Sequence, residues 1–360
     1  MKFLIITNHS YMLWRFRKEL IEELQKRGEV VVSTPFTGRE EDLERLGCKC
    51  TEMIMERRGI NPIADLCLLA KYYKLLKKEK PDMVITYSIK PNIYSSLLCR
   101  FLKIPHCVNV QGLGTAFQKK GVSAIVTLMY KMAVKKAKAV FFENDANLQL
   151  FLKRRIIKEK QGVLLPGAGV NIQEFPSMPY TDETEGIRFL YIGRIMKEKG
   201  IDELFQAAEE LKKKYADKFC LDLVGFFEDE YKSQVEALEK EGIVKYHGFQ
   251  DEPSPFYAAS HCVVLPSYHE GMSNVLLEAA ATGRAIITSN IPGCREAVND
   301  GVTGFLCEKK NANDLMICME RFINMTQQER EEMGKSGHEK IVSEFEKSMV
   351  VEKALDVIMK

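Results

Sequence analysis

Short apolar runs alternate with amphipathic helical patterns along the whole chain, and this alternation constrains the fold more than any other feature. Residues 2–7 read as a buried strand. Residues 11–27 carry Leu13, Phe16, Leu20 and Leu24 on one stripe at spacings of three and four, the mark of a helix, and Gly28 ends it. Residues 30–33 then form a second strand. Strand, helix, strand is the unit of a parallel, doubly wound sheet. The turn after the first strand, Asn8-His9-Ser10-Tyr11, has no Gly-x-Gly-x-x-Gly, which argues against a dinucleotide-linked dehydrogenase.

The pattern recurs, with helices expected at 62–78, 92–102 and 122–136 and strands at 83–87, 107–110 and 139–143. Near 170–186 the periodicity gives way to Pro, Thr and acidic residues, as in an interdomain linker. It resumes with a strand at 187–192, a helix at 201–213, strands at 220–224 and 244–247, and helices at 231–241 and 255–259. A strand at 285–289 and helices at 315–325, 327–344 and 348–359 complete the chain. A length of 360 residues suits two such sheets, since one core typically serves about 100–200 residues.

The densest chemistry lies at 262–283, Cys-Val-Val-Leu-Pro-Ser-Tyr-His-Glu-Gly-Met-Ser-Asn-Val-Leu-Leu-Glu-Ala-Ala-Ala-Thr-Gly. A strand stops at Pro266, a polar loop carries Glu270 and Gly271, and Ser273 or Asn274 opens a helix closed by Gly283. The unpaired N–H groups of a helix start attract an anion, and phosphate is the natural guest. Upstream, Gly193-Arg194-Ile-Met-Lys-Glu-Lys199-Gly200 is again strand, basic glycine loop and helix. Lysines are common on surface loops, but Lys199 stands beside a glycine at a helix start, where an anion site belongs.

Charge divides the chain. Residues 1–165 hold 30 Lys and Arg against 16 Asp and Glu, although the whole carries only +2. A basic half suits an anionic partner: a membrane surface, a lipid phosphate or nucleic acid. Residues 69–78 and 129–138 mix lysines with apolar and aromatic residues; they read either as core helices with a solvated basic face or as helices lying on an anionic bilayer. No aromatic-interleaved basic motif speaks for nucleic acid. Ten scattered cysteines without a Cys-x-x-Cys suit a reducing cytoplasm and argue against zinc or a disulfide frame. The four apolar residues from Phe3 to Ile6 are too few for a secretory core, and no stretch reaches the length of a spanning helix.

At Gly193-Arg194, Lys199-Gly200 and the pair Glu270 and Glu278, separated by seven residues, the sequence resembles the retaining nucleotide-sugar glycosyltransferases of family 4. Gly248-Phe249, Pro266-Ser267, Gly293-Cys-Arg-Glu296 and Gly301-Val-Thr-Gly304 extend the likeness. The first half is similar to the branch that acts on polyprenyl-diphosphate-linked sugars, through Arg17, Lys90-Pro-Asn92, Gly112-Leu-Gly114 with Phe117, and Glu143-Asn144. The resemblance implies a GT-B fold, two Rossmann-like α/β domains facing across a cleft. It divides the chain into an acceptor domain at 1–170, a linker at 171–186, a donor domain at 187–342 and a final helix at 343–360 that packs back on the first domain.

Arg194, Lys199 and Glu270 are then the catalytic candidates. Donor binding falls to Gly193, Arg194, Lys199, Gly248, Phe249, Glu270, Gly271, Met272, Ser273, Asn274, Val275 and Glu278, and acceptor binding to Arg17, Lys90, Asn92, Gln111, Gly112 and Gly114. The implied reaction moves a hexose or N-acetylhexosamine from a nucleotide sugar, UDP by family habit, to a lipid-linked glycan in cell-surface polysaccharide or glycoprotein glycan assembly. The implied partners are the nucleotide sugar, that acceptor, an anionic membrane surface and other glycan-assembly enzymes, with the protein peripheral at the inner face of the cell membrane. Many members carry a histidine where this chain has Gln111, which cannot act as a base near neutral pH. No Asp-x-Asp is present, so two basic side chains and a helix start are expected to serve without metal or other cofactor. A nucleotide-sugar 2-epimerase and a non-catalytic sugar-nucleotide-binding module that docks on membrane are the rival readings on the same fold.

Overall fold

A computed structural model of the chain describes residues 1–55, 61–113, 117 and 121–360. It divides into two compact units, Met1–Ala168 with Lys347–Lys360, and Gly169–Glu346.

The first unit runs β1 (Lys2–Ile6), α1 (Ser10–Gln25), β2 (Glu29–Thr34), α2 (Glu40–Arg45), β3 (Lys49–Glu52), α3 (Pro62–Glu79), β4 (Met83–Tyr87) and α4 (Ile89–Leu102). It continues through β5 (His106–Val110), α5 (Val122–Ala133), β6 (Ala139–Phe142), α6 (Asp145–Lys153) and β7 (Gly162–Leu164). The seven strands are parallel in the order β3-β2-β1-β4-β5-β6-β7. Strands rich in Val and Ile are buried on both faces, as a sheet covered by helices on each side requires. Leu4, Ile6, Val84 and Val108 pack under α3, α4 and α5 on one face, while Phe3, Ile5, Val30 and Val32 pack under α1 on the other.

The second unit has β8 (Ile187–Ile192), α7 (Ile201–Tyr215), β9 (Phe219–Val224), α8 (Lys232–Lys240), β10 (Val244–Tyr246), α9 (Ser254–Ala259) and β11 (Cys262–Leu265). After these come α10 (Asn274–Ala281), β12 (Ala285–Ser289), β13 (Gly304–Cys307), α11 (Ala312–Asn324) and α12 (Gln327–Glu344). Its parallel strands take the order β10-β9-β8-β11-β12-β13. The strand order reverses between β1 and β4 in one sheet and between β8 and β11 in the other. At such a switch point the loops part at the carboxyl edge and leave room for a ligand.

Four details differ from the sequence reading. The short elements α2, β3, α6 and β7, absent from it, complete the first sheet and its cover. Helix α4 begins at Ile89, directly after Ser88, so Lys90 and Asn92 lie in its first turn and not in a loop. The stretch taken as a linker, 171–186, belongs to the second unit: Phe175 is buried in its core, and Glu183 accepts two bonds from Arg330 Nε and Nη2 at 2.8 and 2.5 Å. The chain rejoins the first unit at Lys347 and not at 343, with α12 still in the second unit; α13 (Lys347–Met359), within one residue of the helix expected at 348–359, packs beside α1.

Candidate functional site

Backbone geometry first draws the loops of the second sheet together. Gly193 N–H donates to Val224 O at 2.9 Å, and Gly225, at φ +150°, stands so close that a Cβ there would lie 1.8 Å from Gly193 O. The turn Lys197–Lys199 ends at Gly200, whose φ of +74° is left-handed and whose added Cβ would lie 2.1 Å from Pro266 O. Only glycine allows this approach. Tyr268 N–H donates to Glu198 O at 2.8 Å, and the Tyr268 hydroxyl reaches both Glu203 oxygens at 2.7 Å. The basic turn and the loop after β11 are thereby fastened into one surface at the switch point.

Lys199 Nζ and Glu270 Oε1 meet on that surface at 2.5 Å, with the two side chains 18% and 13% exposed. Behind them Gly293, at φ +88°, lets the loop after β12 close on Gly271, where a Cβ would approach the oxygen to 2.3 Å, and Gly293 O accepts from Ser273 N–H at 2.9 Å. Helix α10 opens here. Ser273 takes the extended backbone of an N-cap, but its side chain makes no capping bond, so no side chain consumes the N–H groups of the first turn. Ser267 Oγ and Asn274 Oδ1, in the same loop, are buried without a hydrogen-bond partner among the described residues. Met272 is buried and Val275 partly so; both pack into the core that holds α10 in place.

Glu278 sits on α10, 7% exposed, and its Oε2 accepts from the buried Tyr257 hydroxyl at 2.9 Å. Arg194 does not join Lys199: its Nη1 pairs with Glu228 at 3.2 Å beyond β9, and its carbonyl accepts from Tyr191 Oη at 2.7 Å. Burial pushes the Tyr191 phenol well above its ordinary value, and the Glu270 charge adds to this, so it remains a neutral donor. Burial, then Lys309 and Lys310, lowers the His269 imidazole. Gly248, at φ +69°, accepts from Gly225 N–H at 2.8 Å; after it, Phe249 and Phe226 form a half-exposed pair with ring centroids 6.1 Å apart. Among the described residues no three His, Cys, Asp or Glu side chains gather in a group that could hold a metal ion.

The acceptor candidates are scattered by comparison. Arg17 is buried, paired with Glu143 at 2.6 Å and lying 5.4 Å over the Tyr87 ring. Lys90 pairs with Asp65 at 2.9 Å. Asn92, only 1% exposed, is a correction to its assignment. Its amide accepts from Thr86 Oγ1 at 2.7 Å and donates to Asn109 O at 2.8 Å and Tyr130 Oη at 3.3 Å, so its bonding capacity is used inside the core. Gln111 is half-buried, with its amide 3.6 Å from Met12 Sδ, and Gly112 follows it at the carboxyl edge. Gly114 lies outside the described residues. At the switch point itself, Ser88 Oγ donates to Asn8 Oδ1 at 2.6 Å, and Ser88 holds φ +75° and ψ +156°. Sequence reasoning gave no role to Asn8, Ser88, Tyr257 or Glu228, each of which matters through a partner remote in the chain. A polar residue at the end of an apolar strand was the one available signal, and it marks Asn8 and Ser88.

The family profile for glycosyl transferases group 1 matches residues 179–340, and that for glycosyl transferase 4-like proteins matches residues 2–144. An N,N'-diacetylbacillosaminyl-diphospho-undecaprenol alpha-1,3-N-acetylgalactosaminyltransferase of Campylobacter jejuni is 28% identical over 84% of this chain and 84% of its own length. A UDP-Gal:alpha-D-GlcNAc-diphosphoundecaprenol alpha-1,3-galactosyltransferase of Escherichia coli is 28% identical over 83% of this chain and 81% of its own. The crystal structure of Anabaena HepE in complex with UDP and glucose superposes over 100% of both chains with a TM-score of 0.81 at 15% identity, a likeness of fold.

Proposed function

Because this chain belongs to the glycosyltransferases, with a 4-like first half and a group 1 second half, we propose that it moves a hexose or N-acetylhexosamine from a UDP-sugar to a polyprenyl-diphosphate-linked glycan, with retention at the anomeric carbon. The observation that carries the reading is the Lys199–Glu270 pair, set beside the uncapped start of α10 at the switch point of the second sheet.

Each group answers a need of the reaction. The bond to the leaving diphosphate breaks with negative charge gathering on phosphate oxygen, and preorganised donors aimed at that charge lower the barrier. Lys199 and the first-turn N–H groups of α10 supply them, and Arg194 joins by exchanging Glu228 for phosphate. Glu270 accepts from the sugar hydroxyls and holds the ring against the diphosphate. Glu278, oriented by Tyr257, accepts from the ribose hydroxyls. Phe226 and Phe249 offer a flat apolar edge to the base. Retention calls for the acceptor hydroxyl to attack from the face the diphosphate leaves; Gln111 cannot take its proton, and a departing phosphate oxygen does. Lys199, the recruited Arg194 and a helix start neutralise the diphosphate without a metal.

The first unit receives the acceptor, with Gln111, Gly112 and Lys90 toward its carboxyl edge and Arg17, through its pair with Glu143, holding that edge in place. The relatives named for undecaprenyl-diphosphate-linked substrates support a lipid-linked acceptor, hence a place at the inner face of the cell membrane among other glycan-assembly enzymes. The test is a screen of UDP-sugars against polyprenyl-diphosphate-linked mono- and disaccharides, with the product anomer read by NMR. One axial product from an axial donor is expected. An inverted product, or an epimerised nucleotide sugar with no transfer, would overturn the assignment.

A further inference from the structure

The basic face of the first unit is also apolar, and the two characters are sorted along its helices. Residues 83–142 contain nine Lys and Arg and not one Asp or Glu. Helices α3, α4 and α5 pack side by side over this part of the sheet, with α4 between the other two. The inner stripes of α3 and α5, through Leu68, Tyr72 and Leu75 and through Val126 and Tyr130, are buried. Their outer stripes are apolar at the start. Ile63 and Leu66 are 76% and 66% exposed on α3, and Ile125 and Leu128 are 59% and 58% exposed on α5. Lysines follow them: Lys71, Lys74, Lys77 and Lys78 on α3, Lys131 on α5, and Lys135 and Lys136 just past it. None of these seven ammoniums has a carboxylate partner among the described residues. Phe101, at the far end of α4, falls outside the pattern.

Topology aligns the two helices. Each runs back antiparallel to its strands, so both apolar ends lie toward the carboxyl edge of the sheet, the ligand edge. At 1.5 Å per residue, the lysines begin about 4–8 Å beyond Leu66 and Leu128 along each axis. Leucine and isoleucine tips ahead of a lysine belt match the depth profile of an anionic bilayer, where apolar side chains reach about 5–10 Å into the headgroup and acyl boundary and ammoniums meet phosphates nearer the surface. Among the described residues no helix is long and apolar enough to cross a membrane, so this is a surface that dips and does not span.

We propose that the first two turns of α3 and α5 insert into an anionic lipid surface, through Ile63, Leu66, Ile125 and Leu128, with the lysines beyond them holding headgroup phosphates. The proposal rests on the reading of a lipid-linked acceptor: the inserted end is the one at which that acceptor is received. Insertion differs from plain electrostatic adhesion in surviving salt.

The test is flotation of the full chain with phosphatidylcholine vesicles containing phosphatidylglycerol, at low salt and at about 1 M salt, where the screening length is about 3 Å. Wild type is expected to float at low salt and in part at high salt. The Leu66→Ser, Leu128→Ser double variant is expected to float at low salt only, with partition at high salt about tenfold weaker or more. Equal flotation of the two proteins at high salt, or no flotation of wild type at all, overturns the proposal. Cys67, the exposed cysteine on the same stripe of α3, gives a readout that needs no variant. A polarity-sensitive maleimide there is expected to shift to the blue with these vesicles, and no shift counts against insertion. Loss of a concentration-dependent dimer in the double variant would assign the face to a second copy and also overturn it. UDP binding, measured in solution without lipid, separates the outcomes, since a chain that binds UDP but ignores vesicles loses the docking surface and keeps its activity.

Discussion

Lys199 Nζ and Glu270 Oε1 lie 2.5 Å apart although 71 residues separate them in the chain. The contact exists because Gly200 presses against Pro266 and Tyr268 N–H bonds to Glu198, which stitches the loop after β8 to the loop after β11. Lys199→Ala is expected to lower kcat/KM by about 10²–10³, the cost of losing one donor to a developing oxyanion. Steady-state kinetics on a variant shown by circular dichroism to be folded decides it. Turnover within threefold of wild type would remove Lys199 from the donor site.

The Tyr257 hydroxyl holds Glu278 from inside the core, so the donor site depends on a residue that no ligand touches. Tyr257→Phe is expected to cost about 1.5–3 kcal/mol of stability, the range for a hydrogen bond to a charged group. It should weaken UDP binding in calorimetry while changing kcat less than KM, because Glu278 keeps its place but loses its fixed orientation. Unchanged UDP affinity would mean that Glu278 does not serve the ribose.

Asn92 behaves in the structure as a clamp between β4, β5 and α5. Asn92→Ala strands the Thr86 hydroxyl and the Asn109 carbonyl, and a loss of about 1–3 kcal/mol in urea unfolding is expected for each buried group left unpaired. The KM for acceptor should stay near wild type in the folded fraction. The opposite result, a raised acceptor KM at full stability, would restore Asn92 to the acceptor site.

Two buried histidines set an acid limit. Burial lowers both His106 and His261 from the ordinary 6.5. His261 Nδ1 also accepts from Arg188 N–H at 2.7 Å, a bond that protonation of Nδ1 would turn into a clash of two donors. With folded pKa values below the unfolded one, the unfolded chain binds more protons, and stability rises with pH. Both contributions are complete above about 6.5 and decline as pH falls below it until the folded values are passed. Denaturant midpoints between pH 7.5 and 5 should decline in that direction, and less so in a His261→Gln variant. A flat profile would show that neither ring is held neutral.

Much of this was legible before folding. The periodicity of the strands and helices, the glycines at 193, 200 and 293, and the two glutamates on either side of a helix start are local patterns set by backbone geometry, and neighbouring residues suffice to show them. The edge strands β3 and β7 and the short helix α2 were not legible, because elements of three to six residues are too short to show a periodicity of their own, and the strands are held by the sheet beside them. The stretch 171–186 looked like a linker for the same reason: its hold is Phe175 in a core and Glu183 on Arg330, contacts made far along the chain.

By itself the sequence determined the alternation, the doubly wound class and the residue types of the donor loops, since these follow from side-chain period and turn chemistry within about ten residues. Only the tertiary structure decided which charges meet. It gave Lys199 to Glu270 and Arg194 to Glu228, spent Asn92 and Arg17 on internal bonds, and left Leu66 and Leu128 outside. Ion pairs and burial depend on distances across the sheet, which strand order sets and chain position does not.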